Sequence, residues 1–411
     1  MHNTNPRETP VVVTGLGMMT GLGLDTASSW EGICAGKSPI RRFTRFDPAG
    51  LSCPYGVELP EGADQVFGDL IKTRNRRQMT RGTMISIATA HMALADSKLA
   101  ESGTDMDRVG VVAGATGTGY APVSLEPDEN RILRNMASAP AAWISLREKI
   151  HGPAFVVSTA CSSGAYALHA ACGLVVSGQC DAVVCGAADS AVNFLDIRGF
   201  CSLMALADQQ EDVASASRPF DRRRSGFVMG EGGGMMVVES AAHAHTRGAR
   251  IYARLSLPAV TSEAYNILSP QEGGAGMVRA MSLALNNAGL PAADIDYVNA
   301  HGTSTRLNDQ YEVQAIKAVF GDHARALAVS STKSMTGHCL SAAAGVEAVI
   351  CCMAIHTGTI PPTANLTEPD EGFDLDFVPG AARKKELRHV MSNSFAFGGH
   401  NGVCVFSKHG E

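Results

Sequence analysis

Short apolar runs of strand length recur along the whole chain, and Gly and Ser cluster after several of them. The first part offers Val11–Val13, Val109–Val112, Ala154–Val157 and Ala182–Cys185. The second offers Ile251–Leu255, Ile295–Val298, Leu327–Val329 and His389–Met391, with Val403–Phe406 as a last strand. Helical patterns lie between these runs. The alternation predicts an α/β protein whose sheets are covered by helices on both faces. Both parts show a strand, a small-residue turn and then a helix, which points to a duplicated unit. A boundary at the Arg247-Gly248-Ala249 turn gives halves of 1–250 and 251–411. At 411 residues the chain is long enough for one large domain or two fused ones.

In such a frame the chemistry belongs on loops at strand ends. The most informative loop is Ser158-Thr159-Ala160-Cys161-Ser162-Ser163-Gly164. An apolar run leads into it. Ala165, Leu168, Ala171, Cys172 and Val175 follow at helical spacing. Cys161 is thus expected where a buried strand turns into a helix. The positive helix N-terminus there favours thiolate. Small neighbours admit a carbonyl, and backbone N–H groups hold an oxyanion. This is the build of a nucleophile for acyl transfer. A solitary buried cysteine reads as core packing; the turn, and the histidine segments that follow, favour the nucleophile.

Three further loops carry candidates. Tyr297-Val298-Asn299-Ala300-His301-Gly302-Thr303-Ser304-Thr305 places His301 after a strand and before a helix over 309–320. Asn308 is the expected N-cap, and Val313, Ile316 and Phe320 share one face. The hydroxyls of Thr303 and Thr305 suit a polar substrate arm. Ser330-Ser331-Thr332-Lys333-Ser334-Met335-Thr336-Gly337-His338 opens an apolar helix over 339–355 that contains Glu347. A buried carboxylate needs a partner, and Lys333 is the nearest cation. Ser392-Asn393-Ser394-Phe395-Ala396-Phe397-Gly398-Gly399-His400-Asn401 sets Phe397 as a gate beside flexible glycines. Zinc on His301, Asp309 and His338 lacks ligand spacing.

Composition excludes several classes. The net charge of −6 gives no reason to expect nucleic acid. The 11 cysteines lie without CxxC pairs, which fits a reducing cytoplasm. Residues 1–10 are polar and lack an apolar signal core. The 339–355 helix is short of the ~20 residues of a membrane span and carries an acid. Two basic clusters stand out: Lys72, Arg74, Arg76, Arg77 and Arg81 on an expected helix, and Arg222, Arg223 and Arg224. Each reads as a solvated face or as a dock for an acidic partner.

The four loops together resemble the β-ketoacyl-acyl-carrier-protein synthases, the condensing enzymes of fatty-acid and polyketide synthesis, in their elongating Cys-His-His branch. Val13-Thr14-Gly15-Leu16-Gly17 is similar to the family's opening turn. Pro219-Phe220-Asp221 followed by Gly226-Phe227-Val228-Met229-Gly230-Glu231-Gly232 is similar to its central segment. The resemblance implies a thiolase-like fold: two duplicated halves with stacked five-stranded sheets in α-β-α-β-α layers. It implies Cys161 as the acylated nucleophile and His301 and His338 as the pair supporting malonyl decarboxylation. It implies Lys333 as the lysine ordering the site, with Glu347 as its partner. Thr303 and Thr305 are implied contacts to phosphopantetheine, and Phe397, with Gly398, the gate whose N–H joins that of Cys161 in the oxyanion hole. It further implies an acyl carrier protein as partner, a homodimer or a heterodimer with a ketosynthase-like subunit, and no metal or redox cofactor.

Other readings are a non-catalytic chain-length-setting partner subunit and a degradative thiolase. Cys161 argues against the first. The second uses another cysteine near the C-terminus, where this chain has His400. The chain also departs from the family. Arg306 stands where proline is common, Ala396 replaces a glycine, and Tyr265-Asn266-Ile267-Leu268 replaces a stretch that often carries histidine and threonine. The stretch from Thr118 to Trp143 is atypical, and Gly114–Gly119, built of small residues, leaves a roomier acyl tunnel.

Overall fold

The structure is a computed structural model, and it describes residues 10–116, 128–208 and 212–410. Residues 117–127, which include much of the expected tunnel wall, lie outside the described residues. Among the described residues, eleven strands form the central sheet. In the first half these are β1 (Val11–Met19), β2 (Val109–Gly114), β3 (Ala154–Val157), β4 (Ala182–Ser190) and β5 (Glu231–Ser240). In the second they are β6 (Ala253–Leu255), β7 (Ala259–Ser262), β8 (Tyr297–Asn299), β9 (Ala328–Ser330), β10 (His389–Ala396) and β11 (His400–Ser407).

The two halves repeat one topology. The first runs β3-β2-β4-β5-β1 across the sheet, and the second β9-β8-β10-β11-β6, with β7 also on β11. In each, the three strands farthest from the join are parallel and the rest antiparallel. The two five-stranded sheets meet edge to edge where β1 pairs antiparallel with β6, Val11 opposite Leu255 and Val13 opposite Ala253. Helix α1 (Arg81–Ser97) covers the first sheet; α3 (Ala275–Ala288) lies against the second, and α4 (Arg306–Phe320) packs on α3. Helices α2 (Ser163–Val176) and α5 (Ala343–Thr357) fill the middle layer.

The middle layer positions the site. Along α2, Ala165, Leu168, Ala171, Cys172 and Val175 are all buried. Helix α5 is buried nearly all round, as a core helix must be. The segment Leu340–Thr357 is long and apolar enough to cross a bilayer, yet it packs inside the protein. The two helices cross where glycine faces backbone. A Cβ on Gly164 would sit 2.5 Å from the Gly345 nitrogen, and one on Gly345 would sit 2.5 Å from the Gly234 carbonyl oxygen. No side chain fits at that crossing.

Several expectations need correction. The β3 run is not buried: Ala154 and Phe155 are exposed and Val156 and Val157 half-buried, because β3 is an edge strand. Strand β5 is not among the expected runs: Gly232, Gly233 and Gly234 at its start lower strand propensity, while Gly234 permits the close approach of α5. Thr305, not Asn308, is the N-cap of α4, which starts three residues earlier than expected. The 339–355 helix opens as a tight 3₁₀ turn over Leu340–Ala342, and α5 proper starts at Ala343.

Candidate active site

Cys161 is reached from β3 through Ala160, whose φ of 49° lies in the left-handed region. A non-glycine residue there costs of order 1 kcal/mol and must be held. The neighbouring serines hold it. Ser163 Oγ donates to the Ala160 carbonyl at 2.7 Å and accepts from Thr159 N–H at 2.9 Å. Ser162 Oγ donates to the Thr159 carbonyl at 2.8 Å. The hydroxyls therefore fold the turn, and Ser162 is the N-cap of α2. Cys161 lies directly before that N-cap.

The expectation of a resting thiolate is overturned. Burial pushes the Cys161 thiol up to about 12; the Lys333 charge and the N–H groups of Phe397 and Cys161 pull it down by less. The low dielectric around a buried sulfur outweighs the helix terminus. The same two N–H groups face the sulfur, which puts the expected oxyanion-hole donors beside it.

His338 comes from the other half. After β9 the chain makes the single turn Lys333–Thr336, then passes through Gly337 at φ 64°. His338 N–H donates to the Val228 carbonyl at 2.7 Å, and its own carbonyl accepts from Gly230 N–H at 3.0 Å. The glycine-rich segment over 226–232 thus grips this histidine. Its Nε2 stands 3.1 Å from Cys161 Sγ. The His301 ring meets that of His338 edge to face, centroids 5.5 Å apart. Burial and the Lys333 charge hold both imidazoles well below 6.5, so both are neutral. Neither Nδ1 has a hydrogen-bond partner among the described residues, so no second bond fixes either tautomer.

Lys333 and Glu347 form a fully buried ion pair. Burial raises the Glu347 carboxyl to about 7 against the pull of Lys333. Thr303 and Thr305 stand with their hydroxyls 2.9 Å apart. These, Phe397, Cys161 and both histidines line one cavity of about 420 Å³. Gly398 does not line it; Gly399 does. Gly398 instead, at φ 83°, donates its N–H to the Ile267 carbonyl at 2.7 Å. Leu203, Met204, Leu268 and Leu307 add exposed apolar groups to the cavity wall.

Glu312 was missed. It is buried on α4 and takes the N–H groups of His301 and Gly302 on its two oxygens, both at 2.8 Å. Asn393 Nδ2 donates to it at 3.1 Å, and burial raises its carboxyl to about 7. A signal existed: Glu312 precedes Ile316 by one helical turn and so is an acid on the apolar face. Asp309 repeats it one turn before Val313, accepting Phe220 N–H at 3.0 Å.

The basic clusters divide. Lys72, Arg74 and Arg77 are exposed and Arg76 half-exposed, around the single helical turn Thr73–Arg76. Arg81 is structural, pairing with buried Glu231 at 3.0 Å and with Asp64 at 2.7 Å. Arg224 is buried, on Asp370 at 2.6 Å, while Arg222 pairs with Glu368 and Arg223 with Asp221. That second cluster is a set of ion pairs, not an open basic face.

Comparison with known proteins agrees with this geometry. Residues 8–244 match the beta-ketoacyl synthase N-terminal domain, and residues 252–367 the C-terminal domain. The chain is 39% identical to the 3-oxoacyl-[acyl-carrier-protein] synthase 2 of Synechocystis sp., over 97% of this chain and 98% of that one. It is 39% identical to the enzyme of the same name from Coxiella burnetii, with the same coverage. Among solved structures, the ishigamide ketosynthase/chain length factor superposes with a TM-score of 0.90 at 32% identity, over 98% of this chain and 100% of that one. A type II polyketide synthase acyl-carrier protein in complex with its ketosynthase, bound to a hexaketide, gives 0.87 at 29% identity, over 97% and 99%. With its duplicated thiolase-like fold and both family domains matched in order, the chain belongs to the beta-ketoacyl synthase family.

Proposed function

We propose that the protein is a condensing acyltransferase that joins an acyl thioester, held on Cys161, to malonyl-acyl-carrier protein by decarboxylative Claisen condensation, giving a β-ketoacyl-carrier protein for fatty-acid or polyketide elongation. The observation that carries the reading is the 3.1 Å approach of a neutral imidazole to a thiol from the opposite half.

In the first half-reaction the Cys161 sulfur attacks the carrier thioester. The N–H groups of Cys161 and Phe397 receive the oxyanion. The thiol proton passes to His338 Nε2 and from there to the departing pantetheine sulfur. Since the thiol rests at about 12 and the imidazole well below 6.5, a standing ion pair is disfavoured. Proton transfer therefore accompanies bond formation. In the second half-reaction the malonyl carboxylate leaves as CO₂, and its bond pair becomes an enolate. His301 and His338 donate Nε2–H to the enolate oxygen, which requires both rings neutral with the proton on that nitrogen. The enolate carbon attacks the acyl-cysteine carbonyl. The tetrahedral intermediate collapses and expels the Cys161 sulfur as thiolate, which takes a proton from water, the first one having left on the pantetheine sulfur. No metal or redox group enters this balance.

The same reading assigns Lys333, with Glu347, to fixing the field around both rings, and Glu312 to holding the His301 loop. Thr303 and Thr305 contact the phosphopantetheine arm, and Phe397 gates the cavity. Lys72, Arg74, Arg76 and Arg77 offer an exposed basic face to an acidic carrier. The exposed edge strand β3 offers pairing to a second subunit, identical or ketosynthase-like. Halves of 1–250 and 251–411 agree with the repeated strand order, and the free thiols suit the cytoplasm.

Mass spectrometry of the protein after incubation with an acyl-carrier thioester tests this. The acyl adduct is expected on Cys161, followed by β-ketoacyl product and CO₂ on adding malonyl-carrier. An adduct on another cysteine overturns the assignment.

A further inference from the structure

Arg306 follows Thr305 directly and opens α4. Its side chain is exposed and lines the cavity that holds Cys161. Among the described residues lining that cavity it is the one lysine or arginine. Its backbone is fixed, because Arg224 Nη2 donates to the Arg306 carbonyl at 3.1 Å. Its guanidinium makes no ion pair among the described residues. The carboxylate that feels its charge, Asp370, is bound by Arg224 at 2.6 Å. The one acid among the described residues of the cavity wall, Glu263, is also engaged: its Oε2 takes Gln271 N–H at 2.8 Å, and Asn401 Nδ2 reaches its Oε1 at 3.3 Å. An arginine with an anchored backbone, its guanidinium without an ion pair among the described residues, therefore stands on the wall of a cavity whose nucleophile lies deep inside.

The lining is graded. Cys161 and Thr303 are buried, Thr305 is half-buried and Arg306 is exposed. An arm bearing its thioester at one end, amides along its length and a phosphate at the other matches that order of groups. We propose that Arg306 binds the phosphate of the pantetheine arm, and so selects phosphorylated thioesters over unphosphorylated ones. This rests on the condensing reading above. The guanidinium fork suits a pair of phosphate oxygens better than an ammonium does. Leu307, the next residue, and Leu268 on the same cavity wall add apolar surface that reduces the water screening the contact.

The test measures kcat/KM for acylation of Cys161 with three thioesters of one acyl group: on pantetheine, on phosphopantetheine and on carrier protein. The wild-type protein is expected to prefer phosphopantetheine over pantetheine by roughly ten-fold, mostly in KM, as befits a charge-assisted bond. Arg306→Ala should bring that ratio close to one, Arg306→Lys should keep part of it, and Arg306→Glu should invert it. An unchanged ratio in Arg306→Ala and Arg306→Glu overturns the proposal. So does a loss confined to the carrier-bound thioester, which would set Arg306 against the carrier's own surface. If the wild-type protein takes the acyl group from none of the three, the condensing reading itself fails and this inference with it.

Discussion

The loop after β3 and the loop after β9 occupy the same place in the repeated topology, yet they carry opposite chemistry. The first is short. It lifts Cys161 out of the sheet on a left-handed Ala160, pins the turn with two serine hydroxyls and enters α2 within two residues. The second is longer, buries the Lys333–Glu347 pair, and presents His338 before a 3₁₀ turn delays α5. On the proposed reading, one half supplies the nucleophile and the other the proton carrier. Duplication provides two equivalent strand ends facing each other across the middle helices, and divergence at those ends makes them complementary rather than redundant.

That contrast is most sharply broken by removing one member from each loop. Cys161→Ala should abolish acyl transfer while leaving some malonyl decarboxylation, because the imidazoles remain. His338→Ala should still acquire an acyl group, yet lose condensation by about 10²–10³-fold or more. Acyl-adduct mass and CO₂ release read the two separately. If both variants lose both activities equally, the division of labour between loops is wrong.

The next effect is on stability. Lys333→Met leaves Glu347 buried without its cation, a loss of roughly 3–5 kcal/mol for a broken buried pair. Urea unfolding should show it, and the double variant Lys333→Met/Glu347→Leu should recover much of it. A double variant no better than the single one would mean that the lysine stabilises through something other than this pair.

The pH dependence of stability separates the loops more finely. His301 and His338 have folded pKa values well below the ordinary 6.5. Their contribution is full above 6.5 and is lost as pH falls below it, since the unfolded chain takes the protons. Glu312 and Glu347, raised to about 7, oppose this: their contribution is full below about 4.5 and is lost as pH rises through 7. His338→Gln removes one imidazole, so its urea midpoint should fall less between pH 7 and 5 than that of the wild-type protein. Equal falls would contradict a buried neutral His338.

The smallest expected effect lies outside both loops. Reversing Arg76 and Arg77 to Glu should lower kcat/KM on carrier-bound thioester by about three- to ten-fold, with less change on a free thioester. Equal loss on both removes the docking role.

The sequence made much of this legible for identifiable reasons. Cys161, His301 and His338 each sit where an apolar run gives way to small residues, so local pattern alone placed them at strand ends. That those ends converge followed from the resemblance; no spacing in the chain reveals that Gly164 meets Gly345. The resting state of Cys161 was misjudged because a helix terminus is visible in sequence, whereas the burial that outweighs it is a tertiary property. Arg81 and Arg224 look like solvated charges until their acids, 150 and 146 residues away, close on them. Glu312 was legible in principle, as an acid in an apolar stripe, but nothing local says that it grips the backbone of His301.

The glycine crossing between α2 and α5 has one more implication. Because main chain touches main chain there, the clearance between the two helices has no adjustable part. Residues around the cavity can change to admit a longer, bulkier or more rigid chain without altering the reach from sulfur to imidazole. A bulkier residue at Gly164 would do the reverse, sparing every reactive group and the whole cavity wall while pushing α2, and the sulfur at its start, away from α5. Substrate range and reactivity are therefore separately tunable in this architecture, and only the second is tied to how the halves close.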